Sequence, residues 1–182
     1  MIRIGFDIGG SKIAAIALDQ RGRELARLRR DVPRDYPATL AALVGLCHEL
    51  QHGLTRTIGI GVPGLIGADD AVIRVVNLPW LEGRPLQRDL QEAAGCPVRI
   101  ANDANCFALS EAVDGAAAGA HVVFGAILGT GVGGGIVVEG KPLAGANAIA
   151  GEWGITRWRG PVRRTGRQRS AAAAGPAASR VG

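Results

Sequence analysis

Several things are scarce in this chain, and each scarcity narrows what it can be. No apolar stretch is long and continuous enough to span a membrane. No signal-peptide pattern opens it, since Met1-Ile2-Arg3-Ile4 leads straight into a strand pattern. Cysteine is rare: Cys47, Cys96 and Cys106 form no CxxC pair and have no metal-ligand spacing. An odd count without that spacing points to free thiols in a reducing cytoplasm, with each cysteine acting as a small buried hydrophobe. No internal repeat is present in the body of the chain.

Acid is absent beyond Glu152. The net charge of +5 over 182 residues suggests nucleic acid until its distribution is seen. All 16 acidic residues lie at or before Glu152, whereas residues 155–182 hold seven of the 21 basic ones, all arginine. The body is therefore mildly acidic and only the tail is basic, which argues against a specific nucleic-acid partner. The tail is dominated by Arg, Ala and Gly and has few large apolar residues. Burial cannot offset its ordering entropy, so residues 155–182 are expected to be disordered.

What is present is an α/β pattern. Strands are predicted over Ile2–Asp7, Lys12–Leu18 and Arg23–Arg30, an antiparallel opening that differs from the βαβ start of a dinucleotide-binding domain. A helix is predicted over Tyr36–His52, from Leu40, Leu43, Cys47 and Leu50 at helical spacing. Strands at Ile58–Val62 and Val72–Val76 follow. Next come a helix over Pro85–Ala94 closed by Gly95, a strand at Val98–Ala101 and a helix over Ala104–Ala118. Strands at Val122–Leu128 and Ile136–Val138 flank a glycine-rich turn.

Three segments carry chemistry. In Asp7-Ile8-Gly9-Gly10-Ser11-Lys12, the Asp7 carboxylate can hold Mg²⁺ through water. Gly9 and Gly10 let backbone N–H groups approach phosphate, and Ser11 and Lys12 add donors. A plain Gly-Gly hairpin with a solvated Asp and Lys reads equally well. Gly129, Gly131 and Gly134 spell GxGxxG, but a strand follows instead of the helix that a dinucleotide fold needs. That counts against an oxidoreductase and for a hairpin over Gly129–Gly135 that cradles phosphate, with Thr130 and Gly133 included. Asp103 follows a strand at the edge where α/β sheets bind ligands. It can accept the proton of an attacking hydroxyl or serve as a helix N-cap. Asn77 and Asn102 can bind sugar hydroxyls or act as turn residues. Glu152 can take two vicinal hydroxyls or be a loop acid.

In order along residues 1–154, the motifs Asp-Ile-Gly-Gly-Ser-Lys (7–12), Gly-Ile-Gly-Val-Pro-Gly (59–64), Asn-Asp-Ala-Asn-Cys (102–106), Gly-Thr-Gly-Val-Gly-Gly-Gly (129–135) and Gly-Glu-Trp-Gly (151–154) resemble the ROK family of repressors and sugar kinases. The likeness is greatest to its bacterial fructokinase and N-acetylglucosamine kinase branches. The resemblance implies an actin-like, hexokinase-like ATPase fold with an RNase H-like N-terminal domain over residues 1–118 and the start of a second domain over 119–154. It implies Mg-ATP at Asp7, Gly9, Gly10, Ser11, Lys12, Gly129, Thr130, Gly131 and Gly133. It implies a hexose substrate held by Gly64, Asn77, Asn102, Asp103 and Glu152, with Asp103 as the base that lets the 6-hydroxyl take the γ-phosphate. A homodimer is common in the family. Its repressors carry an N-terminal helix-turn-helix, whereas this chain starts at the first strand, which favours the kinase branch.

The departure begins after Gly154. The family places a zinc-binding histidine there and then a CxCGxxGCxE motif. Here Ile155 stands in the histidine's place and no cysteine follows Cys106, so the zinc ligands are missing. Reading the third base of each codon with the first two of the next permits a run over 154–161 similar to the family's His-Asn-Pro-Leu-Pro-Trp. The expectation is a shifted frame after Gly154 and a truncated kinase with little or no activity.

Overall fold

The structure is a computed structural model, and it describes residues 2–50, 55–67, 72–75, 77–128, 132–146, 148 and 150–153. The expectations for Gly129, Thr130, Gly131 and the 155–182 tail lie outside these residues.

Alternation drives the first strand. In β1 (Ile2–Ile8), Ile2, Ile4, Phe6 and Ile8 are buried on one face while Arg3 and Asp7 are exposed on the other. β2 (Lys12–Leu18) and β3 (Glu24–Asp31) follow as an antiparallel meander. Helix α1 (Tyr36–Leu50) then crosses over to β4 (Thr55–Val62), which lies parallel to β1. A small hairpin of β5 (Leu65–Ile66) and β6 (Val72–Arg74) leads to a 3₁₀ turn at Pro79–Leu81 and helix α2 (Leu86–Ala94). α2 stops where Gly95 adopts φ 63° and its N–H bonds the Gln91 carbonyl, a left-handed cap that favours glycine. β7 (Val98–Asn102) closes the five-stranded sheet in the order β3-β2-β1-β4-β7.

α1 and α2 pack on one face of this sheet. Leu43, Leu50, Leu86 and Leu90 are fully buried there with β1 and β4 side chains, each worth about 2 kcal/mol relative to exposure. Polar contacts fix the two helices. The Tyr36 hydroxyl donates to Asp89 at 2.6 Å, and Gln87 Oε1 accepts the Ile100 N–H at 2.9 Å.

α3 (Asp103–Val113) leaves the end of β7 and packs on a second sheet of order β10-β9-β8, formed by β8 (Val122–Leu128), β9 (Val132–Val138) and β10 (Lys141–Pro142). Ala108, Val123 and Val137 make a small core between them. The outer face of this sheet exposes Val122, Phe124, Leu128, Val132 and Val138.

Two expectations need correction. α3 ends at Val113, not Ala118, because Asp114-Gly115 favours a turn and the Glu111 carboxylate accepts the Ala116 N–H at 2.8 Å. β9 starts at Val132, so Gly133, Gly134 and Gly135 are strand residues, not part of a turn. Their missing side chains serve close packing. A Cβ on Gly135 would lie 2.6 Å from the Ala104 carbonyl oxygen, and one on Gly134 would lie 2.4 Å from that of Gly151.

Candidate functional site

The C-terminal ends of the parallel strands β1, β4 and β7 meet the start of α3 and the turn before β2. Ligands bind at this edge in α/β sheets. An open groove of about 650 Å³ runs from here across the uncovered sheet face, lined by Asp7, Gly61, Asp103, Cys106, Phe107 and Ile127 among others.

The order Asn102-Asp103 divides two tasks between neighbours. Asn102, not Asp103, is the N-cap: its Oδ1 accepts the Asn105 N–H at 3.0 Å. Asn102 Nδ2 donates to the Gly64 carbonyl and to Glu152 Oε1, both at 3.2 Å. One amide therefore ties together three of the expected sugar-contacting positions. Asp103, the first residue of α3, accepts the Ala104 N–H through Oδ1 at 2.8 Å. Burial is the main cause that raises its pKa above the ordinary aspartate value, and the nearby Asp7 adds to it, while the Ala104 N–H opposes the rise. Burial raises Glu152 as well, followed by repulsion from Asp103, against hydrogen bonds from Asn102 and the Gly134 N–H. Cys106 is exposed and not the buried hydrophobe expected, though partial desolvation in the groove, then Asp103 and Asp7, push its thiol up. The site thus concentrates negative charge in a partly dry groove, the setting in which acid–base groups are tuned.

The 9–12 turn is tighter than expected. The Gly9 N–H bonds the Lys12 carbonyl at 2.9 Å, so that donor is engaged within the turn and is not turned toward a phosphate. Lys12 pairs with Asp31 on β3. Gly10 and Ser11 form the tip. Gly10 packs beside Asn77, whose Cβ would stand 3.1 Å from a Cβ at Gly10. Asn77 is an exposed turn residue there. Gly133 lies on β9, with Ala104 and the Glu152 carboxylate each 3.7 Å from where its Cβ would be.

The family model described as ROK family matches residues 3–168, a range that includes all five motifs. The chain belongs to the ROK family. N-acetyl-D-glucosamine kinase of Vibrio cholerae is 44% identical over 156 residues, which are 84% of this chain and 52% of that protein. The enzyme of the same description from Erwinia tasmaniensis is 48% identical over 156 residues, with the same shares. A solved ROK family glucokinase from Streptomyces griseus, in complex with glucose and AMPPNP, superposes with TM-score 0.79 at 34% identity, over 87% of this chain and 51% of that one. The expected actin-like, hexokinase-like fold is the fold of this ROK chain. The chain spans about half the length of the curated relatives it matches.

Family membership implies Mg²⁺ beside the nucleotide. Asp7 and Asp103 open on one groove whose charge a cation would offset. A single carboxylate completed by waters and phosphate oxygens suits Mg²⁺, which rarely takes an all-protein cage. The residues of this ROK chain therefore fit that ion. Among the described residues no group of three His, Cys, Asp or Glu side chains gathers to hold a metal ion. The expectation about zinc falls on residues beyond Trp153, outside the described ones. No helix among the described residues is long and apolar enough to cross a membrane.

Trp153 and Gly134 stood within the motifs read from the sequence, but the contacts they make did not. The Trp153 indole N–H donates to the Gly133 carbonyl at 3.1 Å, and its ring stands edge-on to Phe124 with centroids 6.4 Å apart. A single aromatic after an acid carries no periodic signal, so nothing local pointed to the Trp153 contact with β9.

Proposed function

We propose that this chain carries the acceptor-sugar side, and part of the phosphate side, of an ATP-dependent hexose kinase site. The reaction moves the γ-phosphate of ATP to a hexose 6-hydroxyl. The observation that carries this reading is the Asn102 amide, which holds Glu152 and the Gly64 carbonyl around one point beside Asp103. N-acetyl-D-glucosamine is the acceptor favoured by the names of the relatives, ahead of fructose, glucose and mannose.

Each residue has a task. Glu152 accepts hydrogen bonds from two vicinal sugar hydroxyls, and Asn102 and Asn77 bind others. The fixed sugar presents its 6-hydroxyl to the Asp103 carboxylate, which takes the proton as the oxygen attacks phosphorus. The new O–P bond forms as the bond to the ADP oxygen breaks. The raised pKa of Asp103 makes it a stronger base than an exposed aspartate. Gly10 and Ser11 at the turn tip face the phosphates, and Gly129, Thr130 and Gly131 are assigned the remaining donors. Gly133, within β9, supports Glu152 from below. Asp7 would hold Mg²⁺, which when bound would supply neutralisation of phosphate charge.

Calorimetric titration of the 182-residue chain with N-acetyl-D-glucosamine tests the sugar side. Binding that weakens at least tenfold in Glu152→Gln, which loses charge-assisted hydrogen bonds, is the expected result. Equal binding by the variant would overturn the assignment.

A further inference from the structure

We propose that Trp153 is a positioning residue, whose indole clamps the 151–153 turn onto β9 and so fixes the direction in which Glu152 points. The inference rests on the reading of Glu152 as a sugar-contacting carboxylate and adds the device that aims it.

The turn is built for this. Gly151 adopts φ 89°, a conformation that favours glycine. The Trp153 N–H bonds the Gly151 carbonyl at 2.8 Å, leaving Glu152 at the apex. From one side of the apex the indole N–H reaches the Gly133 carbonyl at 3.1 Å. From the other side the carboxylate meets Asn102 Nδ2 at 3.2 Å, and the Gly134 backbone beside it favours its charged form. The turn can lie this close to β9 only because Gly134 lacks a side chain. A Cβ there would stand 2.8 Å from the indole Cδ1 and 2.4 Å from the Gly151 carbonyl oxygen. Phe124, on the neighbouring strand, supports the ring at an interplanar angle of 69°.

Burial does not explain the tryptophan, since it is 45% exposed. Its placement has one evident result. The segment that bears Glu152 is tied to β9 by the indole and to the end of β7 by the carboxylate's bond from Asn102. Without the indole bond, Asn102 and Gly134 would hold a carboxylate on a swinging loop. An ångström of play in a substrate-orienting group can cost on the order of a hundredfold in rate.

The test uses the full chain and two variants, Trp153→Phe and Trp153→Ala. Phenylalanine keeps an aromatic ring near Phe124 but lacks the N–H donor and the smaller ring that carries it, so it should stay folded and melt close to wild type. NMR reads the Glu152 carboxyl titration, hydrogen exchange reads the Gly134 amide, and calorimetry reads N-acetyl-D-glucosamine affinity. In Trp153→Phe the Glu152 titration is expected to fall toward that of ordinary glutamate, and Gly134 exchange to quicken at least tenfold. Sugar affinity should drop at least fivefold. A purely structural tryptophan would move the melting temperature and leave the titration alone. Wild-type titration and exchange in both variants would overturn the clamp. If the wild-type chain fails to bind the sugar while the variants still release Glu152 and Gly134, the sugar-contact reading falls and the clamp stands.

Discussion

Replacing Gly135 by alanine would put a methyl 2.6 Å from the Ala104 carbonyl oxygen, 2.9 Å from its carbon and 2.8 Å from Asn105 Oδ1. Two of these are backbone atoms of the first turn of α3, which cannot swing aside as a side-chain tip can. Real Cβ contacts keep about 3.0 Å or more, so β9 and α3 must part by roughly half an ångström. Overpacking of this kind costs up to about 3 kcal/mol. Removing a glycine from a strand returns about 1 kcal/mol. The net loss of about 2 kcal/mol corresponds to a fall of about 4–8 °C in Tm for a chain of this size. The same displacement pulls Asn102 and Asp103 away from Glu152, so sugar affinity should fall as well. Gly59→Ala is the control: its Cβ meets nothing within 4 Å on β4, and the variant should gain about 0.4–1 kcal/mol through the unfolded state. Calorimetric melting of both variants decides the matter. A Gly135→Ala protein as stable as wild type would refute the idea that the β9 glycines exist for contact with α3.

Two further outcomes follow from the same site. Asp103 and Glu152 titrate above their ordinary values when folded, so the native state binds more protons than the unfolded chain, and stability declines as pH rises through the folded pKa values. Asp103→Asn should therefore be more stable than wild type at pH 7, by a modest amount because the carboxyl is partly solvated. The difference should vanish below the ordinary aspartate value of 3.8; a variant less stable at pH 7 would contradict the sign. Burial pushes the Cys47 thiol up to about 11 from 9.0, so its thiolate fraction near neutral pH is about a hundredfold below that of a free thiol, and its alkylation should be slower by at least that factor. Labelling of native Cys47 at the rate of a free thiol, followed by peptide mass spectrometry, would disprove its burial.

Much of the frame was legible in the chain itself. Ile2, Ile4, Phe6 and Ile8 alternate without a break, and the β2 and β8 bounds agree with their hydrophobic runs. Periodicity placed α1 and α2, and Gly95 marked where α2 stops. The site was legible as a set of motifs but not as contacts. Asn102 and Asp103 offer the same capping chemistry one residue apart, and only the Asn105 N–H reveals which of them caps α3. Glycine in a GxG run serves a turn or a close approach equally well. The Ala104 and Gly151 carbonyls, distant in sequence, decide for the latter at Gly134 and Gly135. The meeting of Gly10 with Asn77 has no local signature either, since it depends on how the β5–β6 hairpin folds back.

On the proposed function, Asp103, Asn102 and Glu152 form the acceptor side of a hexose kinase site. Its most direct test is a chimera joining residues 1–153 of this chain to the unmatched second half of the Erwinia tasmaniensis N-acetyl-D-glucosamine kinase. Coupled ADP release with N-acetyl-D-glucosamine then measures kcat. The chimera should turn over, and Asp103→Asn should lose about 10²–10⁴-fold in kcat with sugar affinity kept within threefold. A folded chimera that turns over equally well with asparagine at position 103 would contradict it.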